Sequence, residues 1–381
     1  MVMKKETVIP VNQSQAAQDP EAEGLFHLSQ LDILDNHITK LINNKKVQAG
    51  AYIISRNDRI IAHKAIGFLR YDESRPFLTD TVRRVASVTK ICVAVSILQL
   101  VEQGKIRLDQ QVSEIIDEFN NPMFQKINIF HLLTHTSGIR PDPGVFFEPY
   151  PVDWIPHRED WIKGVLSDFL AVEPGKEWRY SSAGFTILGE IVSRVSGTRF
   201  ERYVLENITK PLGMTDSFFD IPDGYLDRIC MTNKRESKWY SNQREYPDWA
   251  PPRGGGGLFS TLSDLNKLGQ MLVNKGTYGA TRILSRKTVE AMTRNQTSGV
   301  KTYCWGAGGT EMEFGLGMNV YSNNTFLSPG SFSHEGAGLC GLYMDPVENV
   351  VLAYMCPLCE GIEWDAQAVI NLRNIVWAGI K

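Results

Sequence analysis

The spacing of hydrophobic residues changes along this chain, and these changes predict its secondary structure. Residues 28–46 carry apolar side chains at helical spacing, which indicates an amphipathic helix. Two apolar runs, at 51–55 and 60–67, flank the polar residues 56–58 and predict a β-hairpin. Helical signals then dominate a mostly helical region of about residues 91–217.

Strand-like runs return near the C-terminus. The later elements are predicted as helices at 262–275 and 286–294, strands at 314–321, 331–334, 339–345 and 349–356, and a last helix at 364–379. Strands near both ends favour an α+β fold: one antiparallel sheet built from both termini, flanked by helices, with a helical region inserted. No Pro/Ser-rich linker divides residues 24–381, so we expect one domain behind a flexible tail of residues 1–23.

The motif S-x-x-K occurs at Ser87-Val88-Thr89-Lys90, directly before an apolar run at 91–100. Residues three apart share a helix face, so Ser87 and Lys90 are expected to be neighbours. A serine hydroxyl is a poor nucleophile until a partner takes its proton, and a half-buried lysine and a helix N-terminus would place positive charge beside it. Because S-x-x-K is common by chance, the prediction depends on further residues.

Three later segments supply such residues. Tyr180 precedes an amphipathic helix pattern and is a candidate general base, because a neighbouring cation favours the phenolate. His334-Glu335-Gly336-Ala337-Gly338 precedes a strand, and its glycines would allow close backbone approach to a substrate. The backbone N–H groups of Ala337 and Ser87 could then form an oxyanion hole. Four successive glycines, 254–257, allow a tight backbone path.

Together these residues resemble one family, the serine β-lactamase-related hydrolases. This group includes class C β-lactamases, D-alanyl-D-alanine peptidases, D-amino-acid amidases, and certain esterases and acyltransferases. The similarity runs over nearly the whole chain from about residue 24, and it also includes residues 131–139, 210–215 and 257–265. The resemblance implies a β-lactamase/transpeptidase-like fold and an active site between the sheet and the helical region.

The resemblance also implies roles for individual residues. Ser87 would be the acylated nucleophile, and Lys90 would hold the nucleophile and the base in register while supplying positive charge. Tyr180 would take the serine proton and return it to the leaving group. The N–H groups of Ser87 and Ala337 would bind the oxyanion.

Two departures from the family pattern bear on the substrate. Ser182 stands where many β-lactam-directed relatives have the asparagine of Tyr-x-Asn, and His334-Glu335-Gly336 stands where they have Lys-Thr-Gly. A mostly neutral histidine replaces the lysine that typically binds a substrate carboxylate in those relatives. This change favours the esterase and acyltransferase side of the family. Ser182, His334, Glu335 and Gly336 are predicted to contact the substrate. Alternatively, Glu335 points to solvent from an alternating strand.

Two segments rich in aromatic residues and proline, 141–162 and 236–252, are candidates for the walls of the substrate pocket. Trp154 and Trp249 within them, and Trp305 further on, are predicted substrate contacts. They would select a bulky, apolar acyl or leaving group. The alternative is that these aromatic residues only anchor long loops to the body of the protein.

Composition and the remaining motifs exclude other functions. The 381 residues carry a net charge of −3, so no nucleic-acid partner is expected. No run approaches ~18 apolar residues, and residues 1–23 lack a signal-peptide core, so we expect a cytoplasmic protein without a membrane span. Neither the His131/His135 pair nor Cys356-Pro357-Leu358-Cys359 completes a zinc site, and we predict no metal and no cofactor.

Three functions remain open from the sequence. The first is an intracellular serine esterase or amidase that forms an acyl-enzyme on Ser87 and releases it to water. The second is an acyltransferase on the same scaffold, serving natural-product biosynthesis. The third is a catalytically silent binding protein, against which the intact Ser87, Lys90 and Tyr180 argue. For an enzyme, the expected partner is a small-molecule ester, amide or acyl donor, and the oligomeric state stays open.

Overall fold

The computed structural model describes residues 9–13, 22–140, 160–167, 169–241, 246, 249–304, 307–308, 312–323, 325–362 and 366–381. Its strands are β1 (Val11–Gln13), β2 (Ala49–Arg56), β3 (Arg59–Gly67), β4 (Arg83–Arg84), β5 (Glu177–Arg179), β6 (Phe259–Ser260), β7 (Thr277–Tyr278), β8 (Thr281–Arg282), β9 (Lys301–Cys304), β10 (Ala307–Gly308), β11 (Asn319–Tyr321), β12 (Ser331–Gly336), β13 (Cys340–Asp345) and β14 (Val350–Met355). Its α-helices are α1 (Ala22–Leu25), α2 (Ser29–Asn43), α3 (Thr89–Glu102), α4 (Ile129–Leu133), α5 (Trp161–Val165), α6 (Ser182–Ser196), α7 (Phe200–Val204), α8 (Lys234–Ser241), α9 (Leu262–Val273), α10 (Arg286–Met292) and α11 (Ala366–Trp377).

The main sheet joins the two ends of the chain. Its strand order is β1-β3-β2-β14-β13-β12-β11, and every neighbouring pair is antiparallel. The N-terminal hairpin β2–β3 meets the C-terminal strands where β2 pairs with β14. The predicted antiparallel sheet built from both termini is therefore confirmed. The apolar runs in β13 and β14 are fully buried because layers cover both faces of the sheet.

Helices cover the two faces of this sheet. On α2, the buried residues Leu31, Leu34, Ile38 and Leu41 recur at spacings of three and four and form one apolar stripe. This stripe packs with α11 and the outer face of the sheet in one hydrophobic cluster. On the opposite face, α9 lies against β14, β13 and β2. The second cluster continues from there into α3 and α6.

Helix α3 lies at the centre of the helical region. Eleven of its residues are buried, including the whole run Thr89–Leu98, so it is apolar around nearly its full circumference. Its main helical neighbour is α6. This burial explains the apolar run after the S-x-x-K motif. It also places the first turn of α3, which carries Lys90, inside the protein between the sheet and α6.

Two predicted segments differ in the structure. The strand predicted at 314–321 begins only at Asn319, because Phe314 forms an isolated bridge with Asn319 and the chain turns between them. Residues 11–13, predicted as part of a flexible tail, form β1 on the outer edge of β3. Unpaired backbone groups on an edge strand accept a partner of almost any sequence, so side-chain patterns do not reveal such pairing. None of the helices in the described residues is long and apolar enough to span a bilayer.

Candidate active site

The segment that carries Ser87 is fixed by backbone contacts on both sides. Strand β4 pairs with β6, and the chain then passes through Ala86, whose φ of 44° lies in the left-handed region. Ser87 lies in the short 3₁₀ turn Ala86–Val88 directly before α3, rather than within the helix itself. Thr89 holds this turn, because its hydroxyl donates to the carbonyl of Ala86 at 2.7 Å and accepts from the Leu258 N–H at 3.1 Å. Such left-handed non-glycine residues concentrate at functional sites.

Lys90 is hydrogen-bonded to three polar groups of the candidate site. Its side chain is fully buried, and Nζ donates to Ser87 Oγ at 3.1 Å and to Ser182 Oγ at 3.2 Å. A third hydrogen bond runs to the carbonyl oxygen of Gly255 at 2.5 Å. Burying an ammonium group is costly unless its donors are satisfied, and here three donors have three acceptors. Lys90 therefore holds Ser87 and Ser182 at fixed positions.

Tyr180 lies in the site directly before the N-terminus of α6. Ser181 is the N-cap of this helix, with its hydroxyl accepting from the Gly184 N–H at 3.2 Å, so Tyr180 precedes the helix and Ser182 opens it. The ammonium of Lys90 lies 4.9 Å from the centre of the Tyr180 ring. The phenol ring is thus held beside Lys90, which is bound to Ser87 Oγ.

His135 supports this arrangement, and the sequence did not indicate that it would. Its ring lies 4.4 Å from the ring of Tyr180, and its Nδ1 accepts the backbone N–H of Ser181 at 3.1 Å. His135 follows α4 with a φ of 57°, so it does not share a helix face with His131 as a metal pair would. No group of three or more potential metal ligands occurs in the described part of the chain.

Two neutral histidines surround the lysine. Burial, together with the charge of Lys90, lowers the pKa of His334 to about 3. The same two causes, with a smaller effect of His334, hold the pKa of His135 well below its ordinary value. The Nε2 atoms of both rings are buried without a hydrogen-bond partner among the described residues. Both imidazoles are therefore uncharged at pH 7 and offer polar atoms without positive charge.

The predicted substrate contacts on β12 lie on opposite faces of this strand. His334 faces the site, with its ring 6.3 Å from that of Tyr180. Gly336 points the same way, and a Cβ there would lie 2.3 Å from the Val85 carbonyl oxygen, so only glycine allows this approach. Glu335 points to the opposite face, where it accepts a hydrogen bond from the Tyr343 hydroxyl and its pKa is raised by burial. Strand alternation thus places Glu335 away from Ser87, neither in the pocket nor free in solvent.

The glycine segment and the turn after β12 complete the surroundings of Ser87. A Cβ on Gly256 would lie 3.2 Å from the carbonyl carbon of Ala86, so this segment passes close to the residue before Ser87. The sequence indicated a tight backbone path here, but not that the Gly255 carbonyl would bind Lys90. Ala337 follows Gly336 at an exposed turn. Its part in an oxyanion hole with Ser87 stays a prediction.

The remaining predicted residues divide into three groups. Trp154 and Trp305 lie outside the described residues. Trp249 is half-buried, a short distance along the chain before Gly255, and its substrate contact stays a prediction. Cys356 is buried and Cys359 half-buried, and both are free thiols.

Known proteins resemble this chain in sequence and in fold. The model of the family Beta-lactamase matches residues 34–358. The esterase EstB of Burkholderia gladioli is 28% identical over 282 residues, which cover 66% of this chain and 72% of EstB. Two solved structures share the fold. EstCE1, a hydrolase with promiscuous acyltransferase activity, has a TM-score of 0.73 and 19% identity, covering 92% of this chain and 99% of EstCE1. The octameric penicillin-binding protein homologue from Pyrococcus abyssi has a TM-score of 0.69 and 24% identity, covering 86% and 73%.

The chain belongs to the beta-lactamase family, since the family model matches most of its length. Both the β-lactamase/transpeptidase-like fold and the class of enzyme, a serine hydrolase of this family, are confirmed.

Proposed function

We propose that the protein is an esterase that forms an acyl-enzyme on Ser87 with small ester substrates. The observation that carries this proposal is the hydrogen bond of buried Lys90 to Ser87 Oγ, with Ser182 and the Tyr180 ring beside the same ammonium. A hydroxyl in this position needs only a proton acceptor to attack a carbonyl carbon.

In the proposed reaction, Tyr180 takes the proton of Ser87 as Oγ bonds to the ester carbonyl carbon. The N–H groups of Ser87 and Ala337 bind the oxygen that becomes negative. The tetrahedral intermediate then expels the alcohol, to which Tyr180 returns the proton. Water repeats the sequence on the acyl-enzyme and releases the acid and Ser87.

The segment His334-Glu335-Gly336 favours ester substrates over β-lactam or peptide substrates. His334 takes the place of a lysine and is neutral, so this strand offers no cation to a carboxylate from the side facing Tyr180. Ser182 offers a hydroxyl where relatives that act on β-lactams have an amide. The similarity to EstB, an esterase, supports the same choice.

Acyl transfer to an alcohol or amine is the second candidate. It uses the same acyl-enzyme, with an acceptor in place of water, and the structural likeness to EstCE1 with its promiscuous acyltransferase activity favours keeping it. The intracellular location and the bulky, apolar acyl group expected from the aromatic segments also belong to the proposal. Fractionation of cells that express the protein, and ranking of acyl groups by turnover, test these two points.

Turnover of 4-nitrophenyl esters of acetate, butyrate and benzoate tests the proposed function, with anilides and a cephalosporin alongside. Ser87→Ala is expected to abolish ester hydrolysis. Ser96→Ala is the matched control, because Ser96 is a buried serine on the same helix whose hydroxyl donates to the Cys92 carbonyl of that helix. The control is expected to keep wild-type turnover. Equal hydrolysis by wild type and Ser87→Ala would reject the mechanism, and no turnover or acylation with any donor would favour a silent binding protein.

A further inference from the structure

A cavity lies beside the turn after β12 that carries Ala337. Its volume is about 310 Å³. It is lined by residues from the segment before Ser87, from the turn after β12, from α8 and its approach, and from the loop after β14: Arg83, Arg84, Thr232, Asn233, Glu236, Ala337, Gly338 and 358–362. Ala337 therefore belongs both to this cavity and to the predicted oxyanion hole. Ala337 is thus the point at which the cavity and the predicted oxyanion hole meet.

Two arginines of β4 line the cavity with unsatisfied guanidinium groups. Arg83 is 5% exposed, and its one recorded side-chain hydrogen bond runs from Nη1 to Cys230 Sγ at 3.6 Å. Its Nε, and the Nη1 of Arg84, are buried without a hydrogen-bond partner among the described residues. A sulfur is a weak acceptor, and a buried guanidinium without a carboxylate or several strong acceptors is destabilising. Each guanidinium thus has an N–H donor that no acceptor among the described residues meets.

The carboxylates of the same cavity do not pair with these arginines. Glu236 accepts the backbone N–H of Thr232 at 2.7 Å and its hydroxyl at 2.9 Å, both with the same carboxylate oxygen. Glu360 is exposed at the rim. Among the described residues, neither glutamate forms an ion pair within 4.0 Å of Arg83 or Arg84. Burial opposes the charge of Arg83, whereas Cys230 and Glu236 raise its pKa through their charges. In the described part of the chain, no carboxylate pairs directly with the guanidinium of Arg83 or Arg84.

We infer that this cavity binds a carboxylate carried by the ester substrate, with Arg83 and Arg84 as its donors. The inference rests on the proposed function and adds the substrate class. A guanidinium presents a planar fork of N–H groups that matches a carboxylate better than an ammonium does. Arg84 is three residues before Ser87, so their backbones are roughly 11 Å apart or less. The carboxylate and the scissile carbonyl therefore belong to one small molecule.

This way of binding a substrate carboxylate differs from the one that a lysine at position 334 would provide. A lysine at position 334 would meet a carboxylate from the strand face beside Tyr180, and His334 is neutral there. The arginine cavity lies past the end of β12, at Ala337 and Gly338. The chain thus has a neutral side chain at position 334 and two arginines past the end of β12, so acidic substrates would bind in a different direction.

Two matched pairs of esters test the inference and distinguish the acyl side from the alcohol side. The first pair is the 4-nitrophenyl monoester of glutarate and its neutral methyl ester. The second pair is 4-acetoxybenzoate and its methyl ester. The measured quantity is the ratio of kcat/KM for the acidic ester to that for the neutral ester within each protein, which cancels general losses of activity. Wild type is expected to prefer the acidic member of at least one pair by roughly 10- to 100-fold, the usual contribution of hydrogen bonds to a charged group.

Arg84→Gln is expected to lower this ratio to near one, and Arg83→Gln to lower it in the same direction. Arg282→Gln is the matched control, because it also removes one positive charge, from an exposed arginine 3.6 Å from Glu102. The control is expected to keep the wild-type ratio. A wild-type ratio near one in both pairs, or an Arg84→Gln ratio equal to wild type, would overturn the inference.

Inhibition of the wild-type protein provides a test that needs no folded variant. Hydrolysis of neutral 4-nitrophenyl butyrate is measured with 4-hydroxybenzoate or 4-hydroxybenzamide, and with glutarate or glutaramide. The carboxylate of at least one pair is expected to inhibit about tenfold more strongly than its amide. Equal inhibition by acid and amide in both pairs counts against the cavity. Absence of turnover with every ester rejects the proposed function and this inference together, whereas turnover without any acidic preference rejects the inference alone.

Discussion

Lys90 and Arg83 are two buried cations on one short stretch of chain, and their surroundings differ. Lys90 donates to two hydroxyls and a carbonyl, all within 3.2 Å. Arg83 has one sulfur contact and a buried Nε without a partner in the described residues. A cation whose donors are satisfied internally fixes the groups around it. A buried cation whose donors are unsatisfied is costly, and we infer that at Arg83 a ligand reduces this cost.

The neighbouring titratable groups sharpen this contrast. Near Lys90 lie His135 and His334, both held neutral by burial and by the lysine charge. At Arg83, burial opposes the charged form, whereas the neighbouring Cys230 and Glu236 raise the pKa of the guanidinium. The first region is thus built around one positive charge that needs no counter-ion. The second has two positive charges and, in Glu236, a carboxylate already engaged by Thr232.

The largest expected effect comes from removing the satisfied cation. Lys90→Ala would leave Ser87 Oγ, Ser182 Oγ and the Gly255 carbonyl without their shared donor, and kcat/KM for esters is expected to fall on the order of 10⁴-fold or more, as for residues of one catalytic unit. Lys64→Ala is the control, since Lys64 pairs with Asp35 on the main sheet. A loss of less than tenfold in Lys90→Ala would remove Lys90 from the centre of the mechanism.

Tyr180→Phe removes only the phenolic oxygen beside Lys90 and is expected to lower kcat by about 10²–10⁴-fold, the usual share of a general base. Tyr225→Phe removes the same atom from a tyrosine that bonds Asp216 outside the site. Ester turnover of both variants is compared under single-turnover conditions. A loss below threefold in Tyr180→Phe would transfer the base role to Lys90.

The smallest expected effect is on stability and follows from the neutral histidines. The pKa of His334 is about 3 in the folded protein, against an ordinary value of 6.5 that the unfolded chain is expected to show. Between these values the unfolded chain binds more protons, so acidification lowers the free energy of unfolding, by about 2 kcal/mol for this residue between pH 7 and pH 5.

His334→Asn is therefore expected to show a smaller loss of stability between pH 7 and pH 5 than wild type, by about this amount. Urea denaturation midpoints at the two pH values measure it. If the variant loses as much stability on acidification as wild type does, the fold does not lower the pKa of His334.

Much of the fold could be predicted because its signals are local. The apolar runs of β2, β3, β13 and β14 and the stripe of α2 are direct consequences of two-sided or one-sided burial. The edge strand β1 could not be predicted, since it pairs through its backbone alone. Ser87 and Lys90 were predicted to be neighbours, and they are, although through a 3₁₀ turn rather than one helix.

The site was less predictable where tertiary contacts decide it. The direction of Glu335 depends on the register of β12, which a single strand sequence leaves ambiguous. His135 reaches Tyr180 only because its backbone turns left-handed after α4. Arg83 and Arg84 lie four and three residues before Ser87, and this short separation was the available signal. Their missing partners become visible only when α8 and the turn after β12 are placed around them.

Intact-protein mass after brief exposure to an activated ester tests the central role of Ser87 most directly. Wild type and Ser87→Ala are mixed with 4-nitrophenyl butyrate, quenched in acid and measured, with and without an added alcohol or amine acceptor. The expected result is an increase by one butyryl group on wild type only, lost with time in water or on addition of an acceptor. The same adduct on Ser87→Ala, or no adduct on wild type despite rapid hydrolysis and early quenching, would contradict an acyl-enzyme on Ser87.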